Sequence, residues 1–404
     1  MKLFPRLSPE VGPGAGSLAI ARLCMLALAF VLPFSIALTE AALITGLVAL
    51  AVSRARGRRF RFKNSWLEPA SLALLASWLL ATAFSAERAD SLFHVRKLYA
   101  LGLIWLAAET CREPAMRRRI VPLLLAGAGL TAVAGLLIYA ARIGQEPGYR
   151  LQSLLSNQMT SGGVLAAAAL WGLGYMSAAA GRRRWAVAAT LLPLGGALVL
   201  TQTRSHWLGF TVGAAVVLLS LAPRRAWLLP ALAGAVWLIS PARIAARFLS
   251  IFDPHEPGNQ GRLSMWRSAR DIIRAHPALG VGCQDLLALY RRFKYPDATF
   301  ESGHFHNNFI QVAVMAGVVG VAAFAFWHAA ALRQLWRARR SATGEDRGLA
   351  ASGMAVFAAM MVGGMFDFTF GDAEVVYHSY LALGLALAIL APRAARDAAD
   401  GSSA

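Results

Sequence analysis

Charged residues are scarce in this chain of 404 residues, and acidic residues are the scarcest. Only 15% of the residues are charged, against about 25% in a typical soluble domain, while 57% are hydrophobic and the mean hydropathy is +0.52. This scarcity of charge excludes an ordinary soluble globular protein. The 40 basic residues outnumber the 21 acidic ones, but they cluster between apolar runs, where they indicate membrane orientation rather than nucleic-acid binding.

Cysteine is rare as well. Cys24, Cys111 and Cys283 lie far apart, are odd in number and show no CxxC spacing, which excludes a disulfide framework and favours free structural thiols. The chain also lacks a glycine-rich phosphate loop, so nothing in the sequence indicates a nucleotide as an energy source.

Long apolar runs are abundant. Their lengths are near the roughly 20 residues that a helix needs to cross a bilayer. Because unpaired backbone groups cannot face lipid, we predict an all-α integral membrane protein with one membrane domain over residues 1–404. We predict about twelve transmembrane helices, at residues 18–33, 35–52, 67–84, 91–110, 120–143, 159–179, 185–201, 206–222, 226–240, 307–332, 349–366 and 375–391.

The basic loops set the predicted orientation. A cytoplasmic N-terminus places the uniformly basic short loops inside, and we predict no signal-peptide cleavage because a second apolar run follows the first at once. One long outer loop, residues 241–305, carries much of the remaining charge. Within it, Arg262 to His276 is predicted to form an amphipathic helix on the outer membrane surface, with Asn259 as its cap, and Cys283 to Phe293 a second short helix.

A histidine-rich turn precedes the tenth predicted span. His306 and its neighbours His304 and Asn307 crowd this turn, where an uncharged imidazole can act as a general base. His304 and His306 also have the spacing of a metal pair to which Glu301 would add an oxygen ligand, although no second ligand cluster lies nearby in sequence. We favour a metal-free base at His306, and a histidine that merely caps the helix at the membrane interface remains the plain alternative.

Two arginines are candidate anion ligands. Arg204 lies in the polar turn Thr201-Gln-Thr-Arg204-Ser-His206, and the planar fork of arginine suits a pair of phosphate oxygens. Arg262 opens the predicted amphipathic helix, where a cation opposes the helix dipole and therefore indicates a nearby anion. An interface anchor and a solvated loop arginine are the alternatives. Supporting candidates are Arg150, His206 and Trp266.

In their order and spacing, these motifs resemble the O-antigen ligases of bacterial lipopolysaccharide assembly. That family shares a membrane fold with O-antigen polymerases and O-linked protein oligosaccharyltransferases. The motifs are Thr-x-x-Arg204-Ser-x-x-Leu-Gly209, Arg262-x-x-x-Trp266 through Pro277-x-x-Gly-Val-Gly282, and His306-Asn307-x-x-x-Gln311 leading to Gly317-Val-Val-Gly320.

The resemblance implies a metal-independent glycosyltransferase without a cofactor. It would move a polysaccharide from undecaprenyl pyrophosphate to a lipid A–core hydroxyl at the periplasmic face of a Gram-negative inner membrane. His306 would be the general base, Arg204 and Arg262 would bind the donor pyrophosphate, and the loop at 241–305 would be part of the active site. The alternatives are a polymerase or protein oligosaccharyltransferase of the same superfamily, and a transporter of a lipid-linked sugar, which would need a polar path across the bilayer.

Overall fold

The computed structural model describes residues 14–56, 65–146, 148–251, 253–296, 298 and 301–391. Within them the chain forms helices and no strand, which confirms the all-α class. The N-terminus that is predicted to be cytoplasmic lies outside these residues. The α-helices are α1 (Ala15–Val31), α2 (Ile36–Ala55), α3 (Leu67–Ala83), α4 (Arg88–Val95), α5 (Gly102–Thr110), α6 (Pro114–Arg142), α7 (Gln158–Ala178), α8 (Gly181–Leu200), α9 (Arg204–Leu221), α10 (Leu228–Ile239), α11 (Ala242–Leu249), α12 (Pro257–Ala275), α13 (Leu287–Phe293), α14 (Asn308–Ser341), α15 (Glu345–Gly363) and α16 (Ala373–Leu390).

Six of the helices in the described part of the chain are long and apolar enough to cross a membrane, namely α2, α6, α8, α9, α14 and α16. The protein is therefore a membrane protein by helix length and composition, but the predicted count of twelve spans is not confirmed. The predicted span at 91–110 is divided into α4, a 3₁₀ helix over Arg96–Leu101, and α5. The predicted span at 226–240 corresponds to α10, which has 12 residues.

Loops predicted to share a side of the membrane contact each other. Arg117 forms a two-pronged ion pair with Asp346, with Nε 3.0 Å from Oδ1 and Nη2 2.6 Å from Oδ2. Among loops predicted on the other side, Arg243 donates to the carbonyl of Gly148 at 2.6 Å. These contacts agree with the predicted pairing of loops on a common side, and which side faces the periplasm stays a prediction.

Close packing of α9 against α15 positions the start of α9. A Cβ added at Gly209 would lie 2.6 Å from the carbonyl oxygen of Ala359, and one at Gly213 would lie 2.9 Å from that of Ala355. Small residues four apart let two membrane helices approach to backbone contact. This approach brings Arg204, the first residue of α9, toward the turn that follows α15.

The loop at 241–305 is attached to α14 where that helix is broken. Gly317 interrupts α14 with φ 59° and ψ −158°, a left-handed conformation that favours glycine. Residues 277–282 lie against the break, and the N–H groups of Val281 and Gly282 donate to the carbonyls of Val314 and Met315, each at 2.9 Å. The proline–glycine and glycine-rich motifs noted separately in the sequence therefore form one contact.

The predicted amphipathic helix is α12, but it begins at Pro257 rather than Arg262. Glu256 caps it by accepting the N–H of Asn259, so the predicted Asn259 cap is wrong and Arg262 lies in the second turn. The buried side of α12 packs against α13 and α14, and Leu263 on the other side of the helix is 45% exposed. The second short helix is α13, which starts at Leu287 rather than Cys283.

Candidate functional site

A polar cavity of about 450 Å³ gathers residues from distant parts of the chain. The three residues that the sequence predicts at one centre, Arg204, Arg262 and His306, all line it. A larger cleft of about 890 Å³ near α3, α4 and α5 is lined mainly by apolar side chains and contains none of the three. The polar cavity is therefore the candidate site.

Positive charge dominates the cavity. Its described lining includes four arginines, Arg150, Arg204, Arg247 and Arg262, and a single acidic residue, Glu256. The resulting formal charge of +3 favours a multiply charged anion, since arginine pairs well with phosphate oxygens.

Arg204 is buried and fixed by four contacts. Its Nη1 donates to the Ser250 carbonyl at 2.8 Å and to the Ser250 hydroxyl at 3.0 Å. Its Nη2 donates to Glu256 Oε2 at 2.7 Å and to Asn259 Oδ1 at 3.0 Å. Both terminal nitrogens are engaged, so an anion bound here shares them with the protein.

Glu256 connects two arginines to the start of α12. Its Oε1 accepts from Arg247 Nη1 at 2.8 Å, and its Oε2 accepts from Arg204. Burial alone would raise the pKa of Glu256, but the hydrogen bond and charge of Arg204 lower it below the ordinary value. Glu256 is therefore ionised at neutral pH.

Arg262 reaches the cavity from α12, and Arg150 reaches it from the loop between α6 and α7. Arg262 Nε donates to the carbonyl of Phe366 at 3.1 Å, while Arg150 donates to the carbonyls of Thr201 and Gln202, each at 3.0 Å. Burial lowers the pKa of both, and neighbouring arginines help lower that of Arg150 to about 10. Both remain cationic at neutral pH, and a bound anion would relieve their mutual repulsion.

His306 contacts a buried carboxylate. Its Nδ1 lies 3.1 Å from Oδ1 of Asp367. Burial would raise the pKa of Asp367, but the hydrogen bond with His306 and the nearby imidazoles lower it below the ordinary value. An ionised carboxylate can only accept, so Nδ1 donates and Nε2 keeps the lone pair that a base requires.

The backbone at His306 is strained. Its φ is +46°, in the left-handed region that residues with a side chain rarely adopt. Such strain persists where the surroundings enforce it and is common at functional sites. The carbonyl of Phe366 accepts a hydrogen bond from Arg262, and the adjacent Asp367 carboxylate accepts one from His306. One short turn therefore holds both candidate residues.

His304 lies beside His306. The two rings are 4.2 Å apart between centroids, and Nε2 of His304 is 3.8 Å from Asp367 Oδ1. Burial, followed by the proximity of His306, lowers the pKa of His304 to about 4, so this imidazole is uncharged at neutral pH. Glu301, predicted as a third ligand, instead pairs with Arg291 at 2.8 Å, and Asp367 takes its place beside the histidines.

The other supporting candidates hold the backbone around the cavity. Asn307 caps α14 by accepting the N–H groups of Phe309 and Ile310, and it donates to the carbonyl of Met365 at 2.9 Å. Trp266 Nε1 donates to the carbonyl of Phe305 at 2.9 Å. Neither of these nor the buried His206 is among the described residues that line the cavity, whereas Arg150 is.

The sequence reading missed three residues of the site, Asp367, Glu256 and Arg247. Proline is favoured at the first position of a helix, so Pro257 is a sequence signal for the start of α12 and, with it, for Glu256 at the cap. Asp367 follows an apolar run as an ionisable group near a predicted span, but nothing local in the sequence connects it to His306.

Residues 188–325 match the Wzy_C family model, which is described as O-antigen ligase. The family resemblance is confirmed. The O-antigen ligase match contains Arg204, Arg262 and His306 and ends before Asp367. It indicates the superfamily of O-antigen ligases and polymerases and, with it, a glycosyltransferase-like activity on lipid-linked polysaccharide. No curated protein matches the chain.

Proposed function

We propose that this protein is an O-antigen ligase that transfers a polysaccharide from undecaprenyl pyrophosphate to a hydroxyl of lipid A–core oligosaccharide, without a metal cofactor. The observation that carries this proposal is the meeting of Arg204, Arg262 and His306 on one cavity, although they come from three separate segments. The cavity opens on the periplasmic side in this proposal, as the basic loops predict.

The arginines receive the donor. The lipid tail of the donor stays in the bilayer, so its pyrophosphate must be bound at the interface by cations. Arg262 and Arg204 are placed for this, and Arg150 and Arg247 add charge at the same cavity. These contacts strengthen as negative charge develops on the departing pyrophosphate, and loss of one such donor commonly costs about 10²–10³ in rate.

His306 activates the acceptor. The acceptor oxygen attacks the anomeric carbon of the donor sugar, its proton passes to Nε2 of His306, and the bond from that carbon to the pyrophosphate oxygen breaks. Asp367 keeps the proton on Nδ1 and stabilises the imidazolium that forms. A positioned base of this kind contributes about 10²–10⁴ in rate. The energy comes from the donor bond itself.

A reconstituted assay tests the proposal. Purified protein in liposomes is supplied with undecaprenyl pyrophosphate-linked O-antigen and lipid A–core, with a chelator present, and the product is followed by gel mobility. We expect His306→Ala to bind donor but to transfer at least about 100-fold more slowly. His276→Ala, at an exposed histidine after α12, is the matched control and should retain the wild-type rate.

Three outcomes would contradict the proposal. Full transfer by His306→Ala removes the proposed base. If the wild-type protein extends a second lipid-linked repeat but does not modify lipid A–core, the activity is that of a polymerase. Transfer that requires a metal would give product only when the chelator is omitted.

A further inference from the structure

We propose that His304, His306 and Asp367 form a binding site for a zinc-type divalent ion, and that the bound ion blocks the transfer reaction. The first part stands on the geometry of these three side chains alone. The second part rests on the proposed function, because it assigns His306 as the base.

The three side chains already have nearly the spacing of a zinc site. One ligand atom from each lies within 4.8 Å of the others. Asp367 Oδ1 is 3.1 Å from His306 Nδ1 and 3.8 Å from His304 Nε2. In a tetrahedral zinc site with bonds of about 2.0–2.1 Å, neighbouring ligand atoms lie about 3.4 Å apart. Small side-chain rotations therefore suffice to close the site.

The chemistry of the ligands also fits zinc. Two imidazoles and one carboxylate are a donor set used by zinc sites that keep a fourth position open. Here the open position is supplied by the cavity that His306 lines. His304 Nδ1 lies 3.2 Å from the Ser302 hydroxyl, and the N–H of Phe368 donates to Asp367 at 2.9 Å. Such outer contacts orient metal ligands.

Other histidine–carboxylate contacts in the described part of the chain lack this arrangement. His94 lies 3.3 Å from Asp90 on the surface, but only these two side chains meet there. The cluster at His304 is the one group of three potential ligands found among the described residues. Because the cluster includes the proposed base His306, an ion bound there would act directly on that base.

A zinc ion bound at His306 Nδ1 forces the ring proton onto the other nitrogen, Nε2. Coordination takes the Nδ1 lone pair, so the neutral ring must carry its proton on Nε2. Nε2 then has no lone pair to accept the proton of the sugar hydroxyl. The hydrogen bond to Asp367 is lost at the same time, while the arginines stay in place. We therefore expect zinc to lower kcat and to leave the KM for donor nearly unchanged.

Zinc binding is measured on the full-length protein in detergent, after removal of metals, by competition with a chromophoric chelator and with no substrate present. We expect one Zn²⁺ per chain. We expect the affinity to fall at least about tenfold in His304→Gln and independently in Asp367→Asn. His94→Gln is the matched control and should bind as the wild type does. The elution profile and the melting temperature without metal confirm that each variant is folded.

The proposed zinc site is wrong if His304→Gln and Asp367→Asn bind Zn²⁺ as tightly as the wild type does. It is also wrong if His94→Gln loses as much affinity as these two variants. If zinc binds at the cluster but leaves the transfer rate unchanged, the blocking effect is wrong. Because binding is measured without substrate, failure of the proposed function leaves the zinc result readable. An inactive protein that binds Zn²⁺ through His304 overturns the function, not the site.

Discussion

Arg204, the first residue of α9, donates from Nη2 to the carboxylate of Glu256 at 2.7 Å, and Glu256 is also the cap of α12. Arg262 lies on that same helix. One carboxylate therefore fixes the position of one candidate phosphate ligand and the start of the helix that bears the other. Glu256 is therefore a positioning residue, although its carboxylate could otherwise only compete with a bound anion for the arginines of the cavity.

Replacement of Glu256 by glutamine tests this role. The amide keeps the size of the side chain but cannot accept at both atoms, so Arg204 and Arg247 lose a shared charged partner. We expect Glu256→Gln to destabilise the protein by about 1–3 kcal/mol and to weaken donor binding, measured by thermal unfolding in detergent and by donor titration.

Glu345→Gln is the matched control for Glu256→Gln. Glu345 pairs with Arg118 at 2.8 Å, but the two side chains are 42% and 50% exposed, against 15% for Glu256. An exposed pair contributes about 0–1 kcal/mol, so little change is expected. Equal effects of the two substitutions would contradict the positioning role.

Arg262 should be required for binding of the donor pyrophosphate and for the transfer step. We expect Arg262→Ala to lower the transfer rate about 10²–10³-fold, because a cation that meets developing charge is removed. Arg262→Lys should recover only part of the rate, since a lysine cannot hold the Phe366 carbonyl and a phosphate in the same planar geometry.

Arg270→Ala provides the comparison on the same helix. Its side chain is 54% exposed and pairs with the adjacent Asp271 outside the cavity. Steady-state rates at varied donor concentration should match those of the wild type. A wild-type rate in Arg262→Ala would remove Arg262 from the donor site.

Asp367 should control the tautomer of His306. Asparagine at this position can donate as well as accept, so Nδ1 of His306 no longer has to carry the proton. We expect Asp367→Asn to lower kcat about 10²–10⁴-fold with little change in the KM for donor. Asp253→Asn, at an exposed carboxylate, serves as the control. A large rise in KM with unchanged kcat would assign Asp367 to donor binding instead.

The sequence predicts those parts of the site that depend on local pattern. A polar turn beside an apolar run marks Arg204 and His306, and both line the cavity. The apolar runs also predict the helical class, because backbone groups in lipid must be paired within a helix. Length and composition do not decide how many of the shorter helices cross a membrane, and the count of twelve stays unconfirmed for that reason.

Long-range pairings could not be read from the sequence. Asp367 is 61 residues from His306, and it meets the imidazole because α14 and α15 pack together and the turn after α15 returns to the start of α14. Glu301 is close to His304 in sequence, yet it pairs with Arg291 on α13 and with Lys294, the residue that follows this helix. Proximity in sequence indicated the wrong carboxylate.

The break in α14 should tolerate no side chain at Gly317. Its φ of +59° disfavours any other residue, and an added Cβ would lie 2.3 Å from the carbonyl oxygen of Ala278. We expect Gly317→Ala to destabilise the protein by at least about 1–2 kcal/mol, because the left-handed backbone alone costs that much and the loop at 277–282 must also move. A lowered melting temperature would report the destabilisation, and a lower transfer rate would report the movement of the loop at 277–282.

Gly195→Ala on α8 is the control for Gly317→Ala. An added Cβ at Gly195 meets nothing within 4 Å, and alanine favours a helix by about 1 kcal/mol over glycine. Its melting temperature should stay equal or rise. Unchanged stability of Gly317→Ala would mean that the loop and α14 are not held together at this break.

Asp372, the residue before α16, should make stability depend on pH. Burial raises its pKa to about 7, while a hydrogen bond from the Thr160 hydroxyl at 2.6 Å opposes the shift and Glu374 adds to it. In the unfolded chain an aspartate titrates near about 3.9. Between these two pKa values the folded state keeps a proton that the unfolded state has lost, so the contribution to stability is complete below about pH 4 and is lost as the pH rises through about 7.

We expect Asp372→Asn, which resembles the protonated form, to melt at a higher temperature than the wild type at pH 8, by a smaller margin at pH 5, and at nearly the same temperature at about pH 4. Thermal unfolding in detergent across this range measures the difference, with the exposed Asp253→Asn as control. A loss of stability in Asp372→Asn that is as large at pH 8 as at pH 5 would show that Asp372 is ionised in the folded protein across this range.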